Sequence, residues 1–329
     1  MKSRVLLVSP ANPYPAVTNG CARLVLDYVQ SVFAQEDVSY LSVEPGTWTP
    51  LELYRDHRPV GPVTTDSLLN MGFSLVFFVG FRSTPFTRSL AANLPAFCLT
   101  DTLPHPDVPE GVFRGILSHR VPEPREDLLI CGGSYDSAVY FKNRQGDNLV
   151  TCVGRIHPDK GQLELVRGYR ERIYERFHRP LLLVGGSDDR EYFEAVRAYI
   201  DEVAVRSTLG AAPDGWLAPP QIAEVLNRAC CYVTASPHES FGIALAEALA
   251  CGTTCVVNGH YAGFVPAELQ QHVYGNVTGK RGSTLDLLEE VLERDVRRDG
   301  SEWVRRFSVD AAARSQRAFI RRRLETVRA

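Results

Sequence analysis

Short apolar runs alternate along this chain with longer stretches whose apolar residues recur at helical spacing. Residues 5–9 form one such run and lead into a proline-rich loop, 10–19. Residues 21–33 then carry Leu24, Val25, Tyr28, Val29 and Val32 at helical intervals. Runs at 38–43, 75–79 and 96–100 predict three more strands, with a helix over 82–93 between the last two. The rhythm restarts at residue 148. Strands are predicted at 148–153, 180–184, 231–235 and 254–258, and helices at 160–176, 189–203, 222–228, 241–250 and 285–294. The tail 309–328 is helical in pattern and strongly basic. Strands that alternate with helices imply βαβ units and parallel sheets.

The expected fold class is α/β, with two doubly wound domains. Prolines, glycines and charges interrupt the rhythm across 120–147, which puts the boundary there. The expected domains are 1–145 and 146–305, with 306–329 as a terminal helix. Sheets of this kind bind ligands beyond the carboxyl ends of their strands, so two facing domains predict a cleft site.

Composition narrows the function. A chain that is 44% hydrophobic and 23% charged can bury a sizeable core. Its net charge of −3 argues against a nucleic-acid partner. No apolar run approaches the ~18–20 residues of a membrane span, and the run at 5–8 is far too short for a secretory signal. The expectation is a cytoplasmic protein without integral membrane association. The eight cysteines form no C-x-x-C pair, which predicts reduced thiols and no metal site.

Two segments carry the chemistry. In the first, 236–252, a predicted strand ends and a polar turn precedes a helix, with Ser240 placed to cap it. The amides of Phe241, Gly242 and Ile243 would then lack intrahelical acceptors and, with the helix dipole, form an anion site. Glu239 precedes that site and Glu247 follows it. Carboxylates there would repel an anion. They suit the hydroxyls of a sugar and a ribose on either side of a diphosphate, although a helix cap and a solvated face residue are equally open readings. In the second segment, 153–161, Arg155 and Lys160 stand in a strand-to-helix loop and can neutralise a diphosphate. The chain has only four lysines, so Lys160 is conspicuous there.

Together these segments resemble the signatures of the retaining glycosyltransferases of family 4, which have the GT-B fold. Glu239 and Glu247 are similar to that family's E-x7-E signature. Gly154-Arg155 with Lys160-Gly161 looks like its paired cationic motif, and Leu182-Leu183-Val184-Gly185-Gly186 like the strand and glycine turn between them. The resemblance covers about 148–265 well and the N-terminal half in outline. It implies two Rossmann-like domains facing across a cleft, with the C-terminal helix crossing back onto the N-terminal domain. It also implies sugar transfer from a nucleoside diphosphate to an acceptor hydroxyl, with retained configuration and no metal or other cofactor.

In the residues that match, Glu247 would bind the ribose and Glu239 the transferred sugar, while Arg155 and Lys160 would hold the diphosphate. Gly20, in Thr18-Asn19-Gly20, takes the place of an N-terminal glycine loop that is usually richer in glycine. Many relatives carry a histidine where this chain has Asp101, and His105 follows four residues on; the two compete for the place beside the reacting carbon. Trp216 is a candidate wall for the nucleotide base or a packing residue. The expected partners are a nucleotide sugar and a small acceptor of secondary metabolism. The rival functions are a nucleotide-sugar epimerase, a phosphorylase, or a nucleotide-sugar-binding relative without transferase activity.

Overall fold

The computed structural model describes residues 3–11, 25–102, 107–109, 111–120, 125–131, 133–143, 146, 148–187, 189–208, 210–211, 217–279 and 282–326. Two compact units result: Met1–Gly133 with Val309–Ala329, and Ser134–Ser308. The expected boundary at 145/146 compares with a division at 133/134, and the chain leaves the second unit after Ser308.

The first unit is built on β1 (Arg4–Ser9), β2 (Asp37–Val43), β3 (Pro50–Arg55), β4 (Arg58–Gly61), β5 (Leu75–Val79), β6 (Ala96–Thr102), β7 (Gly115–Arg120) and β8 (Leu128–Ile130). They make one sheet in the order β4-β3-β2-β1-β5-β6-β7-β8. β1, β2 and β5 to β8 are parallel, and β3 and β4 turn back antiparallel at one edge. Val5, Leu7 and Phe77 pack on one face, and Leu6, Val8, Val76 and Phe78 on the other. Burial on both faces is why these strands read as unbroken apolar runs. The terminal helix Val309–Glu325 joins the first face through Ala313, Phe319 and Ile320. Gly115 is required there, because a Cβ would meet the Phe319 ring at 2.8 Å.

The second unit is built on β9 (Leu149–Val153), β10 (Leu181–Val184), β11 (Gly186–Ser187), β12 (Val205–Ser207), β13 (Gly210–Ala211), β14 (Ala229–Thr234), β15 (His238–Glu239), β16 (Thr254–Asn258), β17 (His260–Tyr261) and β18 (Tyr274–Asn276). Its main sheet runs β12-β10-β9-β14-β16-β18, all parallel. Counted from β9 this is the 3-2-1-4-5-6 order, which places a topological switch point between β9 and β14. β11 pairs with β13 and β15 with β17 as two short ribbons.

Three elements differ from the periodicity. The helix expected at 160–176 is broken into a 3-10 turn Pro158–Lys160, a helix Gln162–Val166, a π turn Arg170–Tyr174 and a short helix Glu175–Phe177. Gly161 (φ 69°) and Gly168 (φ 79°) are left-handed and cannot continue a right-handed helix. The helix expected from residue 21 is described from residue 25 and ends as a π turn, Tyr28–Val32. The β3–β4 hairpin gave no apolar signal, because β4 reads Arg-Pro-Val-Gly at an exposed edge. Asp56 (φ 49°) and His57 (φ 64°) make its two-residue turn, both left-handed as the strand twist demands.

Asp201 ties down the loop entering β12. It accepts the N–H groups of Val203 (3.0 Å), Ala204 (2.7 Å) and Val205 (3.0 Å), and the Arg170 Nε (2.8 Å). Burial raises its carboxyl pKa, but these donors outweigh that and lower it to about 2. A folded pKa below the unfolded value of roughly 4 stabilises the fold above that pH, and the contribution is lost as pH falls through about 2. Asp201→Asn is therefore expected to lower the melting temperature at pH 7 and to flatten its fall between pH 4 and pH 2. Equal acid slopes in the two proteins would contradict this role.

Candidate functional site

The two sequence motifs occupy the loops that follow β9 and β14, the strands flanking the switch point. The loop after β9 opens with Gly154, whose N–H donates to the Val184 carbonyl (3.0 Å), and Ile156 donates to the Gly186 carbonyl (2.9 Å). Gly185 must lack a side chain, because a Cβ would lie 2.0 Å from the Gly154 oxygen. Gln162 is buried; its Nε2 donates to the Arg155 carbonyl (2.8 Å) and its Oε1 accepts from the His157 N–H (3.4 Å). Gly161 brings this loop against the end of β14. A Cβ there would meet the Ala235 oxygen at 2.6 Å. The position of Lys160 is thereby set by backbone contact.

The loop after β14 is stitched to the first. Ser236, fully buried, donates from Oγ to the His238 carbonyl (2.9 Å) and lies 3.3 Å from the Asp159 carbonyl. β17 then holds the strip that carries Glu239: the His260 N–H donates to the Pro237 carbonyl (2.8 Å) and the Ala262 N–H to the Glu239 carbonyl (3.0 Å). Gly259 and Gly263 permit that approach. A Cβ would stand 1.9 Å from the Ser236 oxygen in the first case and 2.5 Å from the Ser240 oxygen in the second.

The helix begins later than expected. It spans Ile243–Ala250 and its cap is Gly242, at φ 80°; Ser240 is not the cap. The capping residue is left-handed, and a Cβ on it would lie 2.8 Å from the Tyr261 ring, so glycine is needed twice over. The four amides without intrahelical acceptors are those of Gly242, Ile243, Ala244 and Leu245. Phe241 is therefore corrected out of the amide set. Its ring is buried and stacks on Phe264 at 4.3 Å between centroids. Helix residues Leu245, Ala246, Ala248, Leu249 and Ala250 are buried, and the partly open side carries Ile243, Ala244 and Glu247.

The charged groups of the two loops meet. Lys160 Nζ lies 2.8 Å from Glu239 Oε1, with side chains 26% and 18% exposed. Arg155 Nη2 lies 3.2 Å from Asp159 Oδ2, and the His157 Nδ1 lies 2.6 Å from the other Asp159 oxygen. Cys152, Tyr232 and Tyr261, all buried, lie near enough to feel the Glu239 charge. Burial pushes the Cys152 thiol up to about 12, with the Glu239 charge adding to the rise and Lys160 opposing it. The Tyr261 hydroxyl is raised by burial and then by Glu239. Both groups stay neutral and add no charge beside the pair.

Three of the expected residues (Arg155, Lys160, Glu239) and the amides of Gly242 and Ile243 thus lie at the carboxyl edge of one sheet, and Glu247 lies within the helix that starts there. Asp101 belongs to the other unit, at the end of β6. Gly20, His105 and Trp216 lie outside the described residues. Gln162, Asp159, Ser236 and Tyr261 are supporting residues that sequence reading missed. The spacing of Gly259 and Gly263 around Tyr261 just past a strand was the one available signal. Among the described residues no group of three or more His, Cys, Asp or Glu could hold a metal, and no helix is long and apolar enough to cross a membrane.

Residues 139–293 match the family model for glycosyl transferases group 1. No curated protein matches the chain by sequence. The fold is similar to sucrose-phosphate synthase from Thermosynechococcus elongatus, with a TM-score of 0.69 and 15% identity over 99% of this chain and 100% of that one. It is similar to HepE of Anabaena, solved with UDP and glucose, with a TM-score of 0.61 and 12% identity over 99% of both chains. It is also similar to AviGT4, a glycosyltransferase involved in avilamycin A biosynthesis, with a TM-score of 0.56 and 18% identity over 98% of both chains.

Proposed function

We propose that this chain, which has the α/β fold of the GT-B glycosyltransferase structures and carries a glycosyl transferases group 1 domain over residues 139–293, moves a sugar from a nucleoside diphosphate to an acceptor hydroxyl. The observation that carries the reading is the meeting of the two motif loops at one sheet edge by the switch point, where Lys160 lies 2.8 Å from Glu239, three residues ahead of the helix cap Gly242. Arg155, Lys160 and the amides of Gly242–Leu245 meet the negative charge that develops as the diphosphate departs. Electrostatic groups aimed in advance at such charge are usually the largest catalytic term. Glu247 accepts from the ribose and Glu239 from the transferred sugar. Such carboxylates add selectivity, because a buried acceptor left without its hydroxyl costs binding.

In this reading the bond from the anomeric carbon to the diphosphate breaks while the acceptor oxygen bonds to the same carbon on the same face. The acceptor proton passes to a diphosphate oxygen, so configuration is retained and neither a protein nucleophile nor a metal is required. HepE, solved with UDP and glucose, supports a nucleoside diphosphate hexose as donor. AviGT4, with its part in avilamycin A biosynthesis, supports a small acceptor.

Thermal-shift titration with UDP-, GDP-, ADP- and dTDP-sugars tests the donor. At a concentration 100 times Kd one of them is expected to stabilise by about 2.7 kcal/mol, or about 5–10 °C for a unit of this size. Glu247→Ala is expected to remove most of that shift while leaving the ligand-free melting temperature within about 2 °C. A full shift in Glu247→Ala would mean that the ribose lies elsewhere.

A further inference from the structure

We infer that Glu239 sets the preference for nucleotide sugar over free nucleoside diphosphate, by competing with the diphosphate for Lys160. The inference rests on the donor-site reading above. Without ligand, the ammonium of Lys160 is engaged by Glu239 at 2.8 Å, with side chains 26% and 18% exposed. The pair is mostly shielded from water, so it is stronger than an exposed ion pair.

The two backbones that hold the pair are fixed. Gly161 seats Lys160 against Ala235, and the His260 and Ala262 amides grip the strip on either side of Glu239. Exchange of partners is therefore a matter of side-chain rotation alone. The cap of the helix, Gly242, is three residues beyond Glu239, so an anion on those amides stands close to the carboxylate. A nucleoside diphosphate that draws Lys160 away leaves the Glu239 carboxylate uncompensated beside a like charge, and one that leaves the pair intact gives up the Lys160 contact. Like charges placed together cost affinity.

The two ligands differ in what they return to the carboxylate. Free nucleoside diphosphate brings an additional negative charge and no hydrogen-bond donor near its terminal phosphate. A nucleotide sugar lacks that charge and presents hydroxyls from which the displaced carboxylate can accept. Glu239 thus weakens the product complex more than the donor complex, which favours release of the nucleoside diphosphate after transfer.

Glu239→Gln keeps the shape and removes the charge. Isothermal titration calorimetry with UDP and UDP-glucose, and with the GDP, ADP and dTDP counterparts, reads both complexes. For the nucleotide that binds wild type best, Glu239→Gln is expected to tighten the free diphosphate about five- to tenfold. It is expected to leave the nucleotide sugar level or weaker, so the preference for the sugar form collapses. Glu239→Ala carries the same expectation for the free diphosphate, should the glutamine variant fold poorly. Unchanged or weaker binding of the free diphosphate in a folded variant would overturn the inference while the donor site stands. Wild type that binds none of these ligands would overturn the donor-site reading itself, and this inference with it.

Discussion

Lys160→Ala is expected to lower turnover of the accepted donor about 10²–10³-fold, the usual cost of removing one preorganised group that faces developing charge. Most of the loss should fall on kcat, because Lys160 gains more from the departing diphosphate than from the intact donor. The fold should tolerate the change. The Glu239 carboxylate left behind is 18% exposed and only partly hydrated, so the stability cost is somewhat above that of an exposed pair, about 1–2 kcal/mol. Initial rates over a donor series, set beside melting curves, separate the two effects. Turnover within tenfold of wild type would remove Lys160 from the chemistry. A melting temperature that collapses along with the rate would instead make the Lys160–Glu239 pair a structural brace.

The second large effect lies away from any charge. Gly259→Ala would put a methyl carbon 1.9 Å from the Ser236 oxygen, while the Gly259 N–H is held to the Asn276 carbonyl at 3.1 Å. Neither neighbour is a flexible side-chain tip, so backbone has to move. A cost of about 3 kcal/mol is expected, in the range of strain at a closely packed backbone position. For a unit of this size that lowers the melting temperature by about 6–12 °C. The strip that gives way carries Ser236 and Glu239, so the donor-induced shift should fall at the same time. A melting point within 2 °C of wild type, with the donor shift intact, would show that the contact is relieved without disturbing the site.

Much of the second unit was legible along the chain. The strands Leu181–Val184 and Thr254–Asn258 appear within a residue of their predicted ends, because fully buried parallel strands are continuous apolar runs. The helix Thr284–Glu293 was equally plain from its periodicity. The hairpin at 50–61 was not, because its turn and edge residues are polar and exposed. The long helix at 160–176 failed for a different reason. Its apolar spacing is genuine, yet Gly161 and Gly168 are left-handed, and Gly161 is held so by its contact with the end of β14. A period cannot report a contact with a strand about 70 residues away.

The same division runs through the site. The residue types and spacings of Arg155, Lys160 and Glu239, each in a loop past a strand end, and of Glu247 in the helix that follows, are properties of the sequence. They are local, because a loop between a buried strand and a helix is marked by where the apolar pattern stops. The helix start was misjudged by two residues for a tertiary reason: Gly242, packed on Tyr261, takes the cap that Ser240 had the chemistry to fill. The pairing of Lys160 with Glu239 was likewise decided in three dimensions. It depends on β9 and β14 lying side by side at the switch point, and on glycines that let two loops touch through their backbones. The chain by itself determined which charges stand at this sheet edge. Only the tertiary structure decided that they neutralise one another before any ligand arrives, because that depends on a separation of 2.8 Å between residues 79 positions apart.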